Sequence, residues 1–192
     1  MSPNKTKLAS LICITLLCFG LTGCSTLEYV PKYSVSASNI QTIQQNDVAL
    51  SVDTFESAPL SKENCNPISI RGLNLHSPYE ESFAKYVEEA LKLELSLAEK
   101  YDPASDTKIK GLLLKNDLST AGHGIVEMQF QVFKHGRLRY EKTFTATSRW
   151  RKAFAGYTAF SLALRQYSPL VNNLLEKLLN DKKFIAAITK EE

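Results

Sequence analysis

Four scarcities narrow the field before any pattern is read. Charge of one sign is lacking: 23 Lys and Arg against 20 Asp and Glu leave a formal +3, and Lys5 and Lys7 of the leader described below account for much of it. A near-neutral balance removes the bulk electrostatic argument for nucleic acid as a partner, which needs a basic face strong enough to displace counterions. Cysteine is scarce, with four in the chain. Cys13 and Cys18 fall in the leader and Cys24 is used as described below, so Cys65 stands alone and no intrachain disulfide is expected. Nothing basic flanks it in Glu63-Asn64-Cys65-Asn66-Pro67, so it reads as a small buried apolar side chain, with an intermolecular bridge as the alternative. Beyond the leader no run approaches the roughly 18 uncharged apolar residues of a membrane-spanning helix. His76, His123 and His135 have no metal-ligand spacing, and no Gly-x-Ser-x-Gly elbow exists, so neither a metal centre nor a hydrolase triad is expected. No cofactor is implied. What is present is 44% hydrophobic and 22% charged, the composition of one ordinary globular domain.

The N-terminus is an address. A basic start ending at Lys7 precedes the apolar run Leu8 to Phe19, too short to span a bilayer and suited to a signal peptide. Leu21-Thr22-Gly23-Cys24 follows and resembles the lipobox of bacterial lipoproteins. The resemblance implies cleavage after residue 23, with diacylglycerol on the Cys24 sulfur and palmitate on its amine. The thiol is the nucleophile that accepts the lipid, and small residues before it fit a peptidase cleft. In that pattern an Asp after the cysteine retains the protein at the inner membrane. Ser25 here implies the outer membrane, with the domain facing the periplasm. Several acyl chains anchor stably without further membrane-binding surface.

Residues 24–46 read as a lipidated start and a polar tether, able to reach roughly 70 Å if fully extended, in which Tyr33 to Ala37 alternates like an edge strand. The domain is assigned to 47–192. Val48, Leu50 and Val52 alternate with polar neighbours as a half-buried strand, and Glu56 to Pro67 reads as a loop before a short extended piece at Ile68 to Arg71. Ser77-Pro78-Tyr79-Glu80 has the form of a capping box, predicting a helix from there to about Tyr101, stopped by Asp102-Pro103. Its apolar stripe takes Phe83, Val87, Ala90, Leu91, Glu94/Leu95 and Ala98 at helical spacing, widened by Leu93 and Leu97. Its glutamates, Glu80, Glu81, Glu88, Glu89, Glu94 and Glu99, read as a solvated face pairing with Lys85 and Lys92. Three strands follow at Thr107 to Leu118, Gly124 to Lys134 and Leu138 to Arg149, the last two joined by a tight His135-Gly136 turn. In the third strand Leu138, Tyr140, Phe144 and Ala146 share the buried face. Tyr157 to Asn180 has helical spacing interrupted at Ser168-Pro169, as one kinked helix or two abutting ones, and Phe184 and Ile188 suggest a last turn packing back. The order β-α-β-β-β-α predicts an α+β two-layer sandwich, an antiparallel sheet with two amphipathic helices on one face.

The lipobox, the helix after Ser-Pro, the three-stranded meander and the terminal LVNNLLEKLLNDKKFIAAI segment together resemble the YajG-like lipoproteins of Gram-negative bacteria, over about Val48 to Ile188. That resemblance implies an accessory envelope subunit that binds rather than catalyses. One surface invites a partner: Arg137, Arg139, Lys142, Arg149, Arg151 and Lys152, interleaved with Tyr140, Phe144 and Trp150. Its Arg149, Trp150, Arg151 and Lys152 segment is the candidate interaction site, fitting an anionic headgroup, a glycan carboxylate or an acidic protein. The plainer reading is the wet face of an edge strand kept from aggregating by its cations. The expectation is an outer-membrane-anchored, non-catalytic accessory or scaffolding module with an envelope protein partner. A module holding lipid or glycan between helices and sheet is the alternative.

Overall fold

The computed structural model describes residues 28–59, 67–70, 73–152 and 156–189. Alternation of apolar and polar residues builds its largest feature, an antiparallel meander of the last three strands in chain order: β6 (Thr107–Ser119), β7 (His123–Lys134) and β8 (Arg137–Arg149). Val126, Met128, Phe130 and Val132 of β7 are fully buried while the residues between them are not. His135 and Gly136 both take positive φ, 49° and 77°, as a two-residue hairpin turn matched to strand twist requires. Leu138 departs from expectation and is half exposed. A bulge between Val132 and Phe133 changes the partner parity at that end, since Val132 faces Tyr140 but Phe133 faces Leu138.

The remaining strands are short. β1 (Glu28–Tyr29), β4 (Ile68–Ile70) and β5 (Leu73–His76) form a small sheet in the order β1-β5-β4. β2 (Ser51–Val52) and β3 (Glu56–Ser57) both pair with β6, in parallel. The main sheet is therefore mixed rather than antiparallel. β4, β5 and the long helix intervene between β3 and β6, and a crossover of that length returns the chain in the same direction. Gly111 of β6 makes room for this arrangement: a Cβ there would lie 2.5 Å from Met128 Cε and 2.6 Å from a Phe55 ring carbon.

The segment 28–46, assigned above to a tether, belongs to the domain. Tyr33 to Ala37 is not a strand. Ser36 instead caps α1 (Ala37–Gln44), its hydroxyl accepting from the Asn39 N–H, and Val30, Tyr33, Asn39 and Ile43 are buried. The long helix α2 (Phe83–Leu97) also starts later than its apparent capping box. Ser77 accepts from the Tyr79 N–H in a turn, Glu80 and Glu81 take positive φ, and Ser82 is the residue that caps, accepting from the Lys85 N–H. The helix ends before Asp102-Pro103. Glu99 at φ 59°, with Lys100 N–H on the Leu95 carbonyl and Glu99 N–H on that of Ser96, closes it as a Schellman motif. Leu93 and Leu97 are exposed rather than part of the stripe.

At the C-terminus α3 (Gly156–Arg165) and α4 (Tyr167–Leu179) abut at Gln166. Pro169 does not break the chain there: it is the third residue of α4, where no intrahelical acceptor awaits its missing N–H. α5 (Lys182–Thr189) starts on Asp181, whose carboxylate accepts from the Lys183 and Phe184 N–H groups, and buries Phe184 and Ile188. α2 packs against β6 and α4 against β7 and β8. The two helices meet through Phe83, Tyr86 and Tyr167, whose rings stack edge to face. The fold is an α+β sandwich.

Candidate interaction surface

The end of β8 is positioned by one turn. Trp150 donates its N–H to the Gly122 carbonyl at 2.9 Å. Gly122 sits at φ 88°, where a Cβ would fall 2.3 Å from the Trp150 carbonyl oxygen. Only glycine allows this approach. Trp150 is half-buried and packs on the core, one ring carbon lying 3.4 Å from where a Gly124 Cβ would be. Its neighbours Arg149, Arg151 and Lys152 are exposed. Arg149 and Lys152 border an open concavity of about 670 Å³ that also takes Lys115, Asp117 and His123. Arg151 lies outside its lining. No ion pair engages Arg149, Arg151 or Lys152 among the described residues.

The basic stripe is divided. Arg137 and Arg139 lie at the hairpin end of β8, about 40 Å from Arg149 along an extended strand. Lys142 is engaged by Asp181 and lies over the Phe144 ring. The four-residue segment 149–152 is thus a surface of its own.

Two glutamates expected on a wet face are buried, and this is the largest correction on α2. Glu88 and Glu94 are 1% and 0% exposed. Glu88 pairs with Lys85 at 2.7 Å and with Lys92, and accepts the Phe55 N–H at 3.0 Å. Burial pushes its carboxyl up, but the two lysines and the Phe55 N–H outweigh that and hold it below the usual range. Among the described residues no cation pairs with Glu94. Its Oε1 accepts from Tyr33, from the Ser36 N–H at 3.1 Å and from Asn39 Nδ2 at 3.2 Å, while Oε2 is buried without a partner. Burial raises its carboxyl despite those three donors, and burial beside Glu94 raises the Tyr33 phenol strongly. A signal for this existed in the chain: Glu94 occupies a place in the apolar repeat of α2, between Leu91 and Leu95.

The other candidates remain scattered. His76 lies beside the Tyr29 ring and 3.8 Å from Glu81, while His123, at the start of β7, and His135, in the β7–β8 turn, are exposed. Among the described residues no three His, Cys, Asp or Glu side chains come together as metal ligands, and no helix is long and apolar enough to cross a membrane. A narrow recess bordered by Ile43, Asn46, Val48, Leu50, Leu179, Phe184 and Ile188 has a volume of about 10 Å³, the room of a single water. Cys24, Ser25 and Cys65 lie outside the described residues.

No family model matches the chain, and no curated protein matches it in sequence. Solved structures resemble it in shape. A protein of the DUF330 family from Xanthomonas campestris superposes with a TM-score of 0.55 at 14% identity, over 80% of this chain and 95% of that one. A hypothetical protein from Chlamydia trachomatis gives 0.48 at 8% identity, over 73% and 98%. A minor lipoprotein from Acinetobacter baumannii gives 0.37 at 11% identity, over 70% and 91%. The first of these establishes a shared α+β fold. At such identity the likeness is one of fold and carries no activity.

Proposed function

We propose that this protein is a lipoprotein acylated on Cys24, sorted by Ser25 to the outer membrane, whose domain serves in the periplasm as a non-catalytic accessory module for another envelope protein. The YajG-like resemblance and the lipobox supply the address. The observation that carries the reading is the docking of the N-terminal segment. Because β1 begins at Glu28, only four peptide units separate it from Cys24, a reach of about 14 Å. An acylated Cys24 therefore holds the small sheet against the bilayer surface, where a free tether would have let the domain range outward. The main sheet and the 149–152 segment then face whatever neighbours the membrane brings. Three cations without ion pairs among the described residues suit an acidic protein surface.

The alternative, a lipid or glycan held between helices and sheet, has weaker support. The Phe83, Tyr86 and Tyr167 rings close the two long helices on each other, and the recess beside α1 and α5 has no room for a ligand. The test is crosslinking in intact envelopes, with the Cys24→Ala form as the unlipidated control. Stoichiometric recovery of one envelope protein, lost when Arg149, Arg151 and Lys152 are reversed in charge, is the expected result. Recovery of lipid or glycan with no protein overturns the reading.

A further inference from the structure

β8 is an outermost strand of the main sheet, which runs β2-β6-β7-β8, and its free edge is thirteen residues long. No other described strand pairs with it. Native edges of that length are usually shortened, bulged or covered. Lys177 of α4 reaches it, donating from Nζ to the Thr145 carbonyl. That contact fixes the phase of the strand. The backbone N–H and carbonyl of Thr145 point away from β7, and strand periodicity turns those of Thr143 and Thr147 the same way.

Beside this edge runs a groove. A concavity of about 480 Å³ lies between Thr147 and the α4 side chains Asn173, Glu176 and Lys177. It shares Asn180 with a second, of about 550 Å³, beside Tyr140 and Lys142, and it shares Thr147 with the concavity at Arg149 and Lys152. The first two follow β8 from Tyr140 to Thr147, a span of about 23 Å, and the third opens from Thr147 across the adjoining ends of β6 and β7. An edge strand with a helix alongside is the arrangement in which extended peptides add a strand.

We infer that the β8 edge is a strand-addition site for an extended acidic segment of a partner protein. This rests on the accessory-module reading and specifies how such a partner is held. The main-chain groups of Thr143, Thr145 and Thr147 supply the ladder, and Lys177 yields the Thr145 carbonyl as the strand enters. Charge selects the occupant. Arg149 and Lys152, with Lys115 and Asp117, stand at one end of the groove, and Lys182 and Lys183, with Lys142, Glu141 and Asp181, at the other, so cations outnumber carboxylates at each end. Arg149, Lys152, Lys182 and Lys183 are in no ion pair among the described residues. Glu176 and Lys177 offset each other between them. A second copy would bring a β8 with four cations and one carboxylate against an identical strand, setting like charge against like. A segment rich in Asp and Glu meets no such cost.

The test uses the full mature chain in detergent with two synthetic decapeptides, one alternating Val and Glu, the other Val and Lys. Hydrogen exchange is followed amide by amide. The acidic peptide is expected to slow exchange at Thr143, Thr145 and Thr147 by roughly tenfold or more, and the basic peptide to leave them unchanged. Thr147→Pro removes an outward N–H that β7 does not use and is expected to abolish the protection while the melting curve stays cooperative. Should that variant fail to fold, Arg149→Glu with Lys152→Glu reads the same site through charge, and weakened acidic-peptide protection is the expected result. Equal protection by both peptides, protection confined to other strands, or protection undiminished in a folded Thr147→Pro variant overturns the proposal. So does a concentration-dependent dimer that Thr147→Pro dissolves and the acidic peptide leaves intact. The envelope crosslinking described above decides the accessory reading separately. A partner captured equally well by Thr147→Pro leaves that reading standing and removes the edge site. Peptide protection at β8 without any envelope partner does the reverse.

Discussion

The Tyr33 hydroxyl donates to the buried carboxylate of Glu94, 61 residues further along the chain. Three donors from the N-terminal segment, Tyr33, the Ser36 N–H and Asn39, converge on one oxygen of that side chain. Asn39 also donates to the Asn172 carbonyl of α4. Glu94 thus fastens the segment after β1 to α2, and Asn39 ties it on to α4.

Removing one donor tests that fastening. Tyr33→Phe keeps the ring and its edge-to-face contact with Tyr86 but takes a hydrogen bond from a buried acceptor, a loss of about 1–3 kcal/mol. Urea denaturation should register the loss. Limited proteolysis should find residues 28–46 cut faster in the variant, because the bond lost is the one that holds them. An unchanged cleavage rate would remove Glu94 from this role.

The two buried carboxylates of α2 should titrate stability in opposite directions. Glu94 is raised in the folded state, so folding takes up a proton there. Its contribution is complete below the ordinary carboxyl value of 4.5 and is lost as pH rises from that value through the raised one. Glu88 is lowered. Its contribution is present above 4.5 and is lost as pH falls through the lowered value. Glu94→Gln should therefore flatten the fall in stability on the alkaline side of 4.5, and Glu88→Gln should flatten the fall on the acid side. Denaturation midpoints measured from pH 3 to 8, a window of about that width covering both transitions, distinguish them. Parallel profiles for the two variants would contradict the assignment.

How legible each part was follows from where its determinants lie. The meander is local: alternation in β7 and β8 and the His135-Gly136 turn are all readable within a few residues, and the structure matches them almost to the residue. α2 was legible as a helix but not at its start. Ser77 and Ser82 both offer a cap, and the left-handed backbone at Glu80 and Glu81 that decides for Ser82 is invisible in residue types that ordinarily avoid it. The N-terminal segment was misread because its binding partner is distant. Tyr33, Asn39 and Ile43 look polar or sparse in isolation, and become a buried face only when α2 and α4 are beside them. Strands of two residues such as β2 and β3 exist because β6 is there to pair with, so no local pattern announces them. In the candidate surface, the 149–152 cluster was visible as charge. The groove beside β8 was not, since half of it comes from α4.

Sorting offers a prediction independent of the fold. Ser25→Asp, by the lipobox pattern, should move the protein from the outer to the inner membrane fraction on a density gradient, and Cys24→Ala should abolish labelling with palmitate. The domain's melting should not respond to Ser25→Asp, because residue 25 precedes its first described strand.

Two glycines at positive φ separate backbone strain from steric exclusion, and in doing so test whether the 149–152 segment is held or merely attached. Gly136, at φ 77°, has no atom within 4 Å of where a Cβ would stand, so Gly136→Ala meets only the left-handed penalty, about 1–2 kcal/mol. Gly122, at φ 88°, carries that penalty and also faces the Trp150 carbonyl at 2.3 Å. Gly122→Ala must push Trp150 away, losing its N–H bond to the Gly122 carbonyl and part of its packing, for a total of about 3 kcal/mol or more. The readout that matters is Trp150 fluorescence, and it is unambiguous because Trp150 is the one tryptophan in the chain. Its emission should shift to the red and become easier to quench in Gly122→Ala, and stay native in Gly136→Ala. A native spectrum in both would mean that Trp150 is placed by its core contacts alone and that the turn at Gly122 does not position Arg149, Arg151 and Lys152.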